Sequence, residues 1–210
     1  MASHFYQRKL PHFQPAEATF FVTFRLAGSI PKDVIRRLRE NHQLIEKGIL
    51  AQKDLTEKEK HELRYAAQRR LFAETDAFLD KNPNGPYWLR QREIAEIMAE
   101  AMHYRETNQY DLHAYTIMPN HVHMVMTLLP EAPVLFKIMQ HLKRNTAKKS
   151  NQILERTGVA FWEDESYDHV VRDEKEFYRI INYILQNPIK AGFVKEWQQW
   201  PFSFVKPELL

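Results

Sequence analysis

Two histidines one residue apart, His121 and His123, sit in the stretch Met118-Pro119-Asn120-His121-Val122-His123-Met124-Val125-Met126. Imidazole nitrogens ligate metals well, and on a β-strand side chains two apart share a face. The pair would then stand roughly 6.5–7 Å apart at Cα and could hold one ion. Toward the C-terminus Tyr183 and Asn187 are four residues apart, neighbours on one face of a helix. A phenol can act as a nucleophile, and an amide oxygen one turn later can be a third ligand to a hard cation. Both pairs have an ordinary alternative, since histidines can be solvated strand residues and an aromatic beside a helix stripe is usually packing. Lys137, His141, Arg144 and Lys148 recur at steps that keep them within about 60° of helical arc. They form a basic stripe, either a contact for phosphates or a merely soluble face. Glu163, Asp164, Glu165 and Asp168 would alternate faces on a strand, which makes them poor joint ligands.

The elements that must position these groups are legible as periodicities. Thr19 to Leu26 alternates Phe20, Val22, Phe24 and Leu26 with polar residues, which predicts a first strand. Pro31 opens a helix carrying Val34, Ile35, Leu38 and Ile45, and Thr56 to Asp80 is a charged helix with Leu63, Ala67, Leu71, Phe78 and Leu79 as its buried stripe. Asn82-Pro83-Asn84-Gly85-Pro86 is a turn and the clearest break in the chain. A helix with Ile94, Ile97, Met98, Ala101 and Met102 follows to about Arg105. Tyr110 to Ile117 is a second strand, and Pro119-Asn120 turns it into the histidine strand. A helix over about 132–156 buries Leu135, Ile138, Met139 and Leu142, and Gly158 stops it. Phe161 to Val171 reads as an edge strand. Asp173 caps the last helix in a capping box with Glu176, Phe177, Ile180, Ile181 and Ile184 form its core stripe, and Pro188 ends it near Asn187. Tyr183 borders that stripe without filling it. Trp197, Trp200, Phe202 and Phe204 then form a lid over the core or a surface for stacking bases.

Composition narrows the classes. With 210 residues the chain can bury one real core, and 30 basic against 27 acidic residues permit nucleic acid as a partner without requiring it. The absence of cysteine excludes disulfides, thiolate nucleophiles and Cys-bound zinc, so any metal must sit on nitrogen and oxygen. Five glycines without the needed spacing argue against a phosphate-cradling loop. Met1 to Gln14 lacks an apolar run of signal-peptide length, and no apolar stretch approaches the ~18 residues of a membrane span. A soluble, cytoplasmic protein is the expectation.

Leu10-Pro11-His12-Phe13, the TFFVTFRL strand, MPNHVHMVM, FWEDESYDHVVRD and YILQNPIKAGFV, in this order, resemble the REP-associated tyrosine transposases. These are relatives of the single-tyrosine insertion-sequence transposases in the HUH endonuclease superfamily. The resemblance covers nearly the whole chain. It implies an α+β fold, a single domain over residues 1–210 with a ferredoxin-like βαββαβ core, an antiparallel sheet and an additional helical insertion at about 31–105. It also implies roles: His121, His123 and Asn187 as ligands of Mg²⁺ or Mn²⁺, and Tyr183 as the nucleophile that leaves a 5′-phosphotyrosine and a free 3′-hydroxyl on single-stranded DNA. Family members recognise hairpins of repetitive extragenic palindromes. Lys137, Arg144 and Lys148, with Lys143, Arg172 and Lys190, are the candidates for backbone contacts. Monomer and homodimer both stay open. A histidine-triad hydrolase would need a third histidine at position 125, which is Val125. The two His-x-Thr or His-x-Ser copies of a two-histidine phosphodiesterase are absent as well. A hairpin-binding or regulatory protein that keeps the scaffold without cleaving is the remaining alternative.

Overall fold

The computed structural model describes residues 3–7, 11–15, 17–81 and 85–210. Leu10 of the first resembling segment and the turn residues Asn82, Pro83 and Asn84 lie outside the described residues. In chain order the elements are β1 (Ser3–Gln7), β2 (Pro11–Pro15), β3 (Thr19–Arg25), α1 (Lys32–Ala51), α2 (Glu57–Lys81), α3 (Arg92–His103), β4 (Tyr110–Ile117), β5 (His121–Leu128), α4 (Leu135–Ile153), β6 (Tyr167–Val170), α5 (Glu174–Lys190) and β7 (Ser203–Val205). The chain divides into two compact units, Met1–Ala27 with Pro86–Leu210, and Gly28–Gly85.

The first unit is built on a five-stranded sheet in the order β6-β3-β5-β4-β7, with every neighbouring pair antiparallel. The path from β3 through α3 to β4 skips over β5, and the path from β5 through α4 to β6 skips over β3. Two interleaved split crossovers of this kind are the ferredoxin-like βαββαβ core. β1 and β2 pair in a separate two-stranded sheet. Because α3 is one of the crossover helices, it is not part of the insertion as the sequence had suggested. Its Ile94, Ala95, Met98 and Met102 are buried in the main core, and the helical unit ends at Gly85.

Register explains the layering. Phe20, Val22 and Phe24 of β3 stand opposite Met126, Met124 and Val122 of β5, so their side chains share one face of the sheet. That face joins Ile138 and Leu142 of α4 and Met98 and Met102 of α3 in the core. Each such buried side chain contributes about 1.5–3 kcal/mol relative to exposure. The opposite face carries Phe21, Thr23, Arg25, His121, His123 and Val125 and packs against α5. Leu26 N–H donates to the Asn120 carbonyl at 2.8 Å and Leu89 N–H to the Pro119 carbonyl at 3.2 Å. The turn before β5 thus holds both the end of β3 and the start of the segment leading into α3.

Several local expectations are corrected. α4 ends at Ile153 before Gly158 is reached, because Glu155 takes a left-handed conformation (φ 52°) and Arg156 N–H returns to Asn151 O at 2.8 Å, the pattern of a Schellman stop. α5 runs through Pro188 to Lys190. A proline in the last turn forfeits only its own amide bond, and Ala191 N–H and Phe193 N–H still reach Asn187 O and Pro188 O. Asp173 caps α5 by accepting from Glu176 N–H at 2.7 Å, but the Glu176 carboxylate accepts from Arg172 N–H and not from the cap residue. Strand β6 begins only at Tyr167. Before it, the Glu163 and Asp164 carbonyls accept from Lys143 Nζ at 3.0 and 3.1 Å, and Trp162 Nε1 donates to Thr146 Oγ1 at 2.9 Å, so this segment is docked on α4. The aromatic tail packs: Phe202 and Phe204 lie against the core, Trp200 Nε1 donates to Ile117 O at 3.0 Å, and Ser203–Val205 adds an edge strand the sequence had not suggested.

The second unit is a helical hairpin of α1 and α2. Thr56 and Glu59 form a capping box at the start of α2, and Glu46 of α1 pairs with Arg64 of α2 at 3.3 Å. Leu63 and Ile45, expected in the buried stripes, are 42% and 39% exposed. Among the described residues no helix is long and apolar enough to cross a membrane.

Candidate functional site

β5 delivers His121 and His123 to one face because Val122, Met124 and Met126 are drawn into the core on the other. Across the ladder Arg25 stands opposite His121 and Thr23 opposite His123. The sequence reading had set the histidines on a non-apolar working face. In the structure both are fully buried, 0% exposed, on a face that also buries Phe21 and Val125. Their Nε2 atoms approach to 3.0 Å. Two imidazole lone pairs at that distance repel, so a proton or a cation must lie between them. The outer nitrogens are held as well: His121 Nδ1 is 2.6 Å from Asn120 Oδ1, and His123 Nδ1 is 2.6 Å from Thr23 Oγ1.

α5 brings Tyr183 and Asn187 to this pair, since the capped helix turns Ile180, Ile181 and Ile184 inward and leaves Tyr183 half-buried at the border. The Tyr183 ring meets His123 edge-on at 5.4 Å between centroids and Phe21 at 5.9 Å. Lys190 Nζ sits 5.3 Å from the same ring. Asn187 is 1% exposed, its Nδ2 lies 3.2 Å from His123 Nε2, and its Oδ1 is buried without a hydrogen-bond partner. As placed, Asn187 turns its amide nitrogen to His123; a half-turn of the amide brings the unpartnered oxygen to the imidazoles instead, and the resulting donor set of N, N and O suits a divalent cation. The residues present therefore fit the metal that the resemblance implies.

The N-terminal end of α5 is clasped to β6. Glu176, 3% exposed, accepts from the Arg172 guanidinium at 3.2 Å and the Arg179 guanidinium at 2.8 Å, and lies 3.2 Å from His169 Nε2 on β6. Burial pushes its carboxyl up, but the hydrogen bonds from Arg172 and the contact with His169 outweigh burial and hold it at about 2. Arg172 is thus engaged in fixing α5.

The other basic candidates do not converge with the histidines. Lys137, Arg144 and Lys148 are exposed on α4, which packs on the opposite face of the sheet from α5. Lys143, a candidate outside that stripe, is engaged within the protein: burial draws its ammonium down to about 8 against the pull of Asp164, Glu165 and Glu163, and its protons go to carbonyls. A cleft of about 400 Å³ between α4 and residues 159–168, lined by Phe136, Arg144, Trp162 and Glu163 among others, lies on that same face and holds none of the histidine-site residues. Neither Thr23 nor the Glu176–His169 clasp is legible from local sequence. The signal for Thr23 was its register opposite His123, which no local pattern contains.

Residues 88–187, which include His121, His123, Tyr183 and Asn187, match the family described as IS200-like transposases. Over 95 residues the chain is 30% identical to the REP-associated tyrosine transposase of Escherichia coli (strain K12), covering 45% of this chain and 53% of that one. A Haemophilus influenzae protein is 30% identical over 101 residues, covering 43% and 56%. The matches thus span about half the length of these curated relatives. Among solved structures, a REP-associated tyrosine transposase bound to a REP hairpin shares the fold with a TM-score of 0.53 at 16% identity, over 94% of this chain and 80% of that one. The His-x-His pair, Tyr183 and Asn187 all lie inside the matched stretch, so the resemblance read from them is shared with the IS200-like transposase family and with parts of the curated REP-associated relatives, while the solved structure shows the shared fold.

Proposed function

We propose that the chain is a metal-dependent single-stranded DNA endonuclease and strand transferase that acts on REP-type hairpin DNA. The observation that carries this reading is the half-buried Tyr183 set against two buried imidazoles and the buried Asn187 amide with its oxygen unpartnered. His121, His123 and Asn187 would hold Mg²⁺ or Mn²⁺, which supplies charge stabilisation at a scissile phosphate when bound. The chain's own contribution is the nucleophile. The Tyr183 oxygen, losing its proton, attacks phosphorus; the bond from phosphorus to the 3′-oxygen breaks, and that oxygen leaves as a hydroxyl after taking up a proton. One phosphodiester is exchanged for another, so the strand can be rejoined without ATP. His123 and Phe21 orient the phenol by edge contacts, and Lys190 places positive charge beside the ring. The exposed Lys137, Arg144 and Lys148 supply phosphate contacts for DNA away from the reacting bond.

The test is covalent capture on labelled hairpin DNA carrying a single-stranded flank, with Mn²⁺. Wild type should give a denaturation-resistant protein–DNA band. Tyr183→Phe keeps the ring and its contacts, so it should bind the hairpin near-normally and give no such band, while Tyr167→Phe and Tyr178→Phe should retain it. Hairpin binding by wild type without any covalent product would favour the non-cleaving alternative.

A further inference from the structure

We infer that Asn120 and Thr23 are positioning residues that set which nitrogen of each histidine carries the proton, so that both Nε2 atoms turn their lone pairs to one divalent cation. This rests on the metal reading above. A neutral imidazole has one N–H and one lone pair, and only the lone pair can ligate. Asn120 Oδ1, a carbonyl oxygen, can only accept, so its 2.6 Å contact assigns the proton of His121 to Nδ1 and leaves the lone pair on Nε2. Thr23 Oγ1, 2.6 Å from His123 Nδ1, can accept or donate. It therefore accepts a hydrogen bond from Nδ1–H when Nε2 ligates and donates one to the Nδ1 lone pair when Nε2 carries the proton.

Neither contact is a chance meeting of mobile groups. Asn120 is 1% exposed and its backbone is tied to Leu26, and Thr23 is 7% exposed and the register partner of His123. The two orienters come from different places, a turn and the neighbouring strand, yet both act on the outer nitrogen of their histidine. His121 is thereby fixed in advance, whereas His123 adapts. Its Nε2 is the atom that also faces Asn187.

The experiment uses the full chain with ¹⁵N-labelled histidine. Two-bond proton–nitrogen correlation spectra read the tautomers without metal, and calorimetric titration with MnCl₂ reads the affinity. Wild-type His121 should be protonated at Nδ1. Asn120→Ala and Thr23→Val should each weaken Mn²⁺ binding by about 10–100-fold, and Asn120→Ala should release the His121 tautomer. Asn120→Asp and Thr23→Ser, which keep an acceptor in place, should stay close to wild type. Asn120→Leu, which keeps the branching of the side chain without its acceptor, replaces the alanine variant if that one fails to fold. Wild-type uptake of Mn²⁺ together with undiminished uptake by a folded Asn120 variant overturns this inference alone. A wild type that takes up no Mn²⁺ overturns the metal reading, and this inference with it.

Discussion

Glu176→Gln isolates the electrostatic clasp at the head of α5. The substitution keeps the shape and removes the charge that Arg172, Arg179 and His169 surround. In the folded chain the carboxyl lies at about 2, against an ordinary value of 4.5. Each pH unit of such a difference is worth about 1.4 kcal/mol, which puts the contribution near neutral pH at about 3 kcal/mol. The sign follows from linkage: a carboxyl depressed by folding stabilises fully above about pH 4.5, and that stability is lost as pH falls toward 2. Wild type should therefore lose about 3 kcal/mol through this group between those limits, and Glu176→Gln should lack that component. The stability gap between the two should be widest at pH 7 and close by about pH 2. Urea unfolding followed by tryptophan fluorescence suits the measurement, because all four tryptophans, Trp88, Trp162, Trp197 and Trp200, belong to the sheet-bearing unit. Parallel pH profiles for wild type and variant would refute the reasoning.

Three further outcomes are expected. Replacing both His121 and His123 by alanine should abolish Mn²⁺ uptake measured by calorimetry, and because both are fully buried it should also lower the melting temperature. Neutralising Lys137, Arg144 and Lys148 together should reduce the slope of log affinity against log salt by about 2 on single-stranded substrates, measured by fluorescence anisotropy; an unchanged slope moves the DNA surface elsewhere. Phe24→Ala, which empties a 1%-exposed site packed 4.9 Å from the Trp162 ring, should cost about 3–5 kcal/mol in urea unfolding.

The parts of the fold that depend on local repetition were legible in the sequence. Alternation in Thr19–Arg25 and the stripe of Ile180, Ile181 and Ile184 each encode a buried face within a few residues. The parts set by distant partners were not. Strand parity puts His121 and His123 on one face, but nothing near them says that α5 covers it. Lys143 looks like its neighbours on α4 until the carbonyls of Glu163 and Asp164 arrive from the following segment. Ser203–Val205 is too short to announce itself, being a strand only because β4 offers it an edge. The assignment of α3 to an insertion failed for the same reason, since a helix at a sequence break reads the same whether it closes a crossover or extends a hairpin.

The turn at Pro119–Asn120, which binds Leu26 on one side and Leu89 on the other, makes a doorway through which the chain departs and returns. Whatever lies between enters and leaves at nearly the same point, so its length is uncoupled from the register of β3 against β5. Doubling such an excursion costs only about 0.6 kcal/mol in closure entropy. A change of length between Gly28 and Gly85 would thus leave the histidine strand in step, where a single-residue slip in the sheet would not.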